Sequence, residues 1–293
     1  MKAIIFLLAF VTFAQSQIYT EKFNNFVVAT DANTEGLWIF DDVYHDEVTS
    51  DTLQGDQSAN NNDLTAQNFS TDFADELTGT NFLYSGGNAL TFNGTSEHLD
   101  RSAASSTDFD PGTSDFTIDF FAEQTISQEG YLFAKYDGTS GWLVKGKSPS
   151  HATTIKFEAR GSGAFQSYSL GYTIDDTSFV TWVVKRSTNE LLNYKNGVDL
   201  GTTNISSLVG SLSNSADLEV GTWSTFEFGG ILGFIRYSSV ARTFKEHKEA
   251  YALVKGWASN SGGVTRDNFA FHQGIVADTV YKDSLLTSGG NGS

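Results

Sequence analysis

FTIDFF (116–121), GYLFAKYDG (130–138), GWLVKG (141–146), TIKFEA (154–159), FVTWVVKR (179–186) and YKNG (194–197) follow one another as short apolar or alternating runs separated by turn residues. Runs of this length and pattern are strands, because successive side chains leave a strand on opposite faces. Phe116, Ile118 and Phe120 fall on one face, while Thr117 and Asp119 fall on the other. The fold class is therefore all-β, with an apolar side to each strand and antiparallel neighbours.

The flanks extend the series. GLWIFD (Gly36 to Asp41) reads as the first firm strand, and a polar loop, DQSANNND (Asp56 to Asp63), precedes a short strand at Leu64 to Gln67. Ala89 to Phe92 and Glu97 to Asp100 flank Asn93-Gly94, and LLNY and VDLG flank Lys195-Asn196-Gly197. Both Asn-Gly pairs predict hairpins, since a type I′ turn needs positive φ at its two central residues. Leu218 to Gly221 and Ile231 to Tyr237 read as late strands around a polar loop at 203–217. Phe244 to Lys255 has helical periodicity, with Gly256 as its expected stop.

Composition bounds the rest. With 293 residues, 39% hydrophobic and 14% aromatic, the chain suits one large β domain better than two ordinary ones. Lys2, the apolar run Ala3 to Ala14 and the small residues around Ala14-Gln15-Ser16 have the form of a signal peptide over 1–16. That run is too short to span a bilayer, so no transmembrane segment is expected in the mature chain. The domain plan is a signal peptide at 1–16, a lead-in at 17–35, one β domain at 36–256 and an extension at 257–293. There is no cysteine, so the core must hold the fold without disulfides. A net charge of −17 disfavours nucleic acid and anionic membranes as partners and favours cations.

The order of these blocks resembles the laminin G-like, concanavalin A-like lectin-glucanase jelly-roll family over roughly residues 36–255. GLWIFD, DQSANNNDLT, GGNALTFNGTSEHL (86–99), FTIDFFAE (116–123), FVTWVVKR, YKNG, LEVGTW (218–223) and GGILGFIRYSS (229–239) carry the resemblance. It implies two antiparallel sheets packed face to face, with one short C-terminal helix. It also raises catalysis, because related glycosidases place a nucleophile and an acid on one strand in a Glu-x-Asp-x-x-Glu run. Here Thr117 replaces the first glutamate and Glu123 is displaced by one position, leaving Asp119 and Glu123 on one face with no nucleophile before them. No catalytic residue is assigned, and a non-enzymatic protein is expected. The five histidines have no zinc spacing, and no P-loop or GxSxG occurs.

Two candidate sites remain. Asp56, Asn61 and Asp63 supply hard oxygen ligands that suit a structural Ca²⁺, or else an Asx-turn loop closed by its own side chains. The resemblance implies a further acid on the last strand, which Ile231-Leu232-Gly233-Phe234 lacks. Glycan binding needs exposed aromatic faces flanked by polar groups, and Trp142, Trp223, Asp137, Arg160 and Phe165 lie in or beside loops. Trp38 and Trp182 sit inside strands and read as core. The expected protein is a secreted, non-catalytic carbohydrate-binding module acting on a glycan or surface protein. The alternative is a virion, appendage or surface-layer subunit mediating adhesion or forming homo-oligomers.

Overall fold

The computed structural model describes residues 30–40, 44–45, 52–69, 89–148 and 154–259. In chain order the strands are β1 (Thr34–Ile39), β2 (Tyr44–His45), β3 (Thr52–Gln54), β4 (Leu64–Gln67), β5 (Leu90–Asn93), β6 (His98–Arg101), β7 (Phe116–Glu123) and β8 (Tyr131–Tyr136). They continue as β9 (Gly141–Lys145), β10 (Lys156–Arg160), β11 (Gln166–Ser169), β12 (Ser178–Lys185), β13 (Glu190–Lys195), β14 (Val198–Asn204), β15 (Leu218–Val220) and β16 (Gly229–Ser238). One helix, α1 (Phe244–Ser259), follows. Residues 1–16 and 260–293, with the signal-peptide reading and most of the extension, lie outside the described residues.

Two antiparallel sheets form a jelly-roll sandwich. The seven-stranded sheet runs β1-β16-β7-β12-β13-β14, with β5 pairing beside β1 along β16. The nine-stranded sheet runs β11-β10-β9-β8-β15-β6-β4-β3-β2. Their facing sides bury Phe116, Ile118, Phe120 and Trp182 from one sheet against Phe133, Trp142, Val144 and Phe157 from the other. Aromatic pairs interlock the layers, as Phe116 and Phe157 (centroids 6.3 Å apart) and Trp38 and Phe133 (5.8 Å) show.

Three expectations need correction. The Asn93-Gly94 segment is not a hairpin: β5 joins one sheet and β6 the other, so the turn is a corner of the sandwich. Only Gly94 has positive φ there (73°), while Asn93 Oδ1 accepts the Thr95 and Ser96 amides at 2.8 and 3.2 Å. Phe92 and Leu99 then both enter the core from opposite sheets, which in-plane pairing would not permit. By contrast, Asn196 (φ 50°) and Gly197 (φ 78°) make the expected two-residue turn between Lys195 and Val198. The second correction is the loop at 203–217, whose Ile205, Leu208 and Leu212 are buried and plug the core. The third is Gly256, which lies inside α1. The helix begins with a capping box, Thr243 Oγ1 accepting the Glu246 amide at 3.3 Å and Glu246 Oε2 accepting the Thr243 amide at 2.7 Å.

α1 covers the outer face of the seven-stranded sheet, where Leu37, Phe121, Phe179 and Phe234 pack beneath Ala250. Arg242, just before the helix, ties the lead-in to this layer by donating to both oxygens of Asp31 at 3.0 and 2.9 Å. Those bonds hold the Asp31 carboxyl down at about 2.

His247 of α1 stacks on Phe179 at 4.9 Å. Its Nε2 accepts the Gly197 amide at 3.0 Å, so Nδ1 carries the proton donated to Thr181 Oγ1 at 2.8 Å. Burial, reinforced by the charge of Arg236 and opposed by that of Asp119, lowers the imidazole from 6.5 to about 4. The unfolded chain therefore takes up this proton first, and the stabilisation is complete above pH 6.5 and lost as the pH falls toward 4. Allowing for partial solvent screening, about 2 kcal/mol should disappear across that window. Urea midpoints from pH 7 to 4 check it, with His247→Phe expected to flatten the slope; an identical slope in both proteins would count against the assignment.

Candidate functional site

The outer face of the nine-stranded sheet carries an aromatic patch uncovered by any helix among the described residues. A β-bulge creates it. The register of β8 against β9 shifts between Tyr131 and Phe133, so Leu132 and Phe133 both turn inward while Tyr131, Ala134 and Tyr136 face outward. The turn at 223–226 folds over them, with Trp223 and Phe226 exchanging backbone hydrogen bonds (3.4 and 3.1 Å). This close approach requires glycine at 130, where a Cβ would lie 2.3 Å from the Glu227 carbonyl.

The Trp223 ring sits 5.3 Å from Tyr131 and 5.4 Å from Tyr136, and lies nearly parallel to Phe226 (11° between planes, 6.2 Å). Phe165 packs on Tyr136 at 5.7 Å and remains 43% exposed, and Phe226 is 37% exposed. The floor between them is Ala134 and Leu143.

Polar groups border this patch. Glu158 on β10 is buried and accepts Tyr131 Oη at 3.1 Å and Ser167 Oγ at 2.8 Å. Lys145 pairs with Glu129, lies 4.0 Å from Glu158 and sits 5.5 Å over the Tyr131 ring. Burial, with the Glu158 charge, pushes the Tyr131 phenol well above its ordinary range. It therefore stays protonated as a donor. At the other end, Arg160 donates to the Gly163 carbonyl at 3.2 Å and the Gly138 carbonyl at 3.4 Å, bridging two loops beside Phe165.

The structure thus gathers Trp223, Phe165, Arg160 and the Asp137 loop around Tyr136, whose hydroxyl donates to the Gly138 carbonyl at 2.9 Å. Asp137 itself closes that loop. Its Oδ1 accepts the Thr139 and Ser140 amides at 2.7 and 2.8 Å; burial alone would raise its pKa, and these bonds hold it below the ordinary value. Trp142 is corrected: it is fully buried, its indole donates to the Phe109 carbonyl at 3.2 Å, and it stacks on Tyr237 at 5.6 Å. It offers no face to a ligand. Tyr131 and Tyr136 escape a reading by sequence because the bulge in β8 breaks the alternation that would have placed them, and Phe226 and Glu158 because their partners come from distant segments.

The Asp56 loop is held by its own donors. Asp56 Oδ1 accepts the Leu37 amide at 2.9 Å and the Ser58 amide at 2.8 Å, and Oδ2 accepts the Asn62 amide at 2.8 Å. Asp63 Oδ1 accepts the Asp56 amide at 2.7 Å, and Asn61 is the exposed apex at φ 56°. Each Asp56 oxygen already faces protein donors, which is the arrangement of an Asx-turn loop closed by its own side chains. Asp56→Ala should cost about 2 kcal/mol by leaving these amides unpaired, whereas EDTA should leave the wild-type melting temperature unchanged. A fall of several degrees with EDTA would restore the ion.

Asp119 and Glu123, the carboxylates of the glycosidase comparison, face the opposite side of the molecule, on the outer face of the seven-stranded sheet. Asp119 is fully buried against Arg236 (2.6 Å), and Glu123 accepts Thr177 Oγ1 at 2.8 Å.

No protein-family model matches the chain, and no curated protein matches it by sequence. Solved structures match its fold. The binding domain of botulinum neurotoxin DC in complex with SialylT is 12% identical over 76% of this chain, with a TM-score of 0.51. The same domain in complex with rat synaptotagmin II is 12% identical over 76%, with a TM-score of 0.52. The binding domain of Paraclostridial Mosquitocidal Protein 1 is 16% identical over 75%, also with a TM-score of 0.52. The match spans 52% of each of those chains. At these identities the likeness is one of fold.

Proposed function

We propose that this chain is an exported, non-catalytic carbohydrate-binding module that holds a glycan against the outer face of its nine-stranded sheet. The observation that carries the reading is the near-parallel Trp223 and Phe226 pair, seated on Tyr131 and Tyr136 with Phe165 exposed alongside. Sugar rings stack on such faces through their apolar C–H sides, and their hydroxyls need fixed polar groups nearby. Arg160 at the rim is such a group, and the buried Tyr131–Glu158 pair and Lys145 hold the rings beneath in place. The fold shared with a toxin binding domain described in complex with SialylT supports the same reading.

A glycan array tests it. Phe226→Ala, which removes an exposed ring, and Trp223→Ala should each weaken binding about tenfold or more, the loss of about 1.4 kcal/mol of stacking. Phe226→Ala should also melt at nearly the wild-type temperature. Flat arrays with folded protein would count against the proposal.

One feature favours protein contacts as a second reading. Among the described residues β14 ends the seven-stranded sheet and exposes Val198 (54%) and Leu200 (46%), so its outer edge can accept another strand. A molecular mass that rises with concentration would support that role.

A further inference from the structure

The two flanks of the aromatic patch differ in charge. Following the register across the outer face, Asp100 on β6 lies opposite Glu219 on β15, Glu219 opposite Ala134, Ala134 opposite Leu143, and Leu143 opposite Glu158 on β10. The apolar floor is thus flanked by Glu219 on one side and Glu158 on the other. On the β10 side the acids are compensated, since Lys145 stands by Glu129 and Glu158, Lys156 is opposite Lys145, and Arg160 lies at the end. On the β15 side no ion pair to Asp100, Asp217 or Glu219 forms among the described residues.

Glu219 is surrounded by Asp217, Asp100 and Glu227, and every charge acting on it is negative. Asp100 accepts the Gln67 amide at 3.2 Å and Asp217 accepts the Ala103 amide at 2.7 Å; both are neutral donors. Arg101, the nearby cation, donates to the Ser105 and Asp63 carbonyls at 2.7 and 2.9 Å. Asp63, Asp100 and Asp217 line a polar cleft of about 310 Å³ beside β15, which they share with Arg101. β15 lies beside β8 at a strand spacing of about 4.8 Å, so a sugar unit extending past Trp223 toward β15 would meet Glu219.

Resting on the glycan reading above, we propose that the sugar unit beyond Trp223, over β15, is selected by charge: it is neutral or bears a free amine, and carboxylated, sialylated or sulfated units are rejected. Glu219 sets the selection together with its neighbours Asp217, Asp100 and Glu227. Like charges brought together on binding cost affinity, and fixed charges at the edge of a site act on specificity more than on total affinity. Burial first, then the three neighbouring acids, pushes the Glu219 carboxyl up to about 7. Rejection of anionic sugars therefore strengthens between pH 6 and 8 as Glu219 ionises.

The test uses the full chain and one glycan backbone in three forms: neutral, N-deacetylated and uronate- or sialic-acid-capped. At pH 8 and low ionic strength the anionic form should bind about tenfold more weakly than the neutral form. The gap between the anionic and neutral forms should narrow in Glu219→Gln, at pH 6 and in high salt. Anionic forms that bind as tightly as neutral ones would overturn the charge selection and leave the glycan reading standing. Failure of the folded protein to bind any form would overturn both. A gap unmoved by Glu219→Gln, with the variant's melting temperature confirming its fold, would remove Glu219 from the assignment.

Discussion

Asp119→Ala is expected to cost about 3–5 kcal/mol, because it leaves a buried guanidinium without its counter-charge. Asp119 is fully buried in the middle of β7, and Arg236, 3% exposed on the neighbouring β16, donates to it at 2.7 Å from Nε and lies at 2.6 Å through a second nitrogen. Both nitrogens meet the same oxygen, Oδ2, in a charge-assisted contact, and Oδ1 is left for Thr181. Thr181 also donates to the carboxylate, and His247 donates to Thr181, so α1 is coupled to the pair through hydrogen bonds. Urea denaturation measures the loss. Replacing both partners with apolar residues, as in Asp119→Leu with Arg236→Met, should recover most of it, since the desolvation cost of both charges is then removed. A single-variant cost below about 1 kcal/mol would mean that the carboxylate is hydrated and its burial misjudged.

The second large effect separates two tryptophans that look alike in sequence. Trp142 and Trp223 both stand beside glycine-containing turns. Trp142→Ala should cost about 3–5 kcal/mol, the range for truncating a large buried aromatic, because it removes a ring packed between the sheets against Phe133 (4.8 Å), Tyr237 and Phe116. Glycan affinity of the fraction that remains folded should be unchanged. Trp223→Ala should show the reverse emphasis, losing affinity more than stability. Combined denaturation and binding measurements decide the matter, and selective loss of binding in Trp142→Ala would show that this side chain reaches the ligand.

The two cases also show how far the sequence could be read. Period-two alternation made β7, β9, β10, β12 and β13 legible, because a strand with one buried face has to write that face every second residue. Asn196-Gly197 was equally legible, since two consecutive positive φ values leave few other choices of residue. Asn93-Gly94 carries the same dipeptide and makes a corner between sheets instead. What decided it was the pairing of β5 with β16, residues more than a hundred positions away. Asp119 likewise alternates correctly away from the inter-sheet core, but a second layer covers that face, so the position is not solvated.

The candidate site was half legible. Trp223, Phe165 and Arg160 stand near turns, where exposure follows from local chemistry, and the structure brings them together. Tyr131 and Tyr136 read as strand residues like any others until the bulge in β8 turns them outward, and Glu158 gains its partners only when β8 and β11 lie on either side of the β9–β10 pair. The sequence by itself determined most of the strands, the one firm hairpin, the start of the helix and the absence of disulfides, because each depends on the local chemistry of a few consecutive residues. Tertiary structure alone decided which face is a surface, which carboxylates are paired and which aromatic rings meet. Burial and electrostatics depend on distances between residues far apart in the chain, and only packing sets those distances.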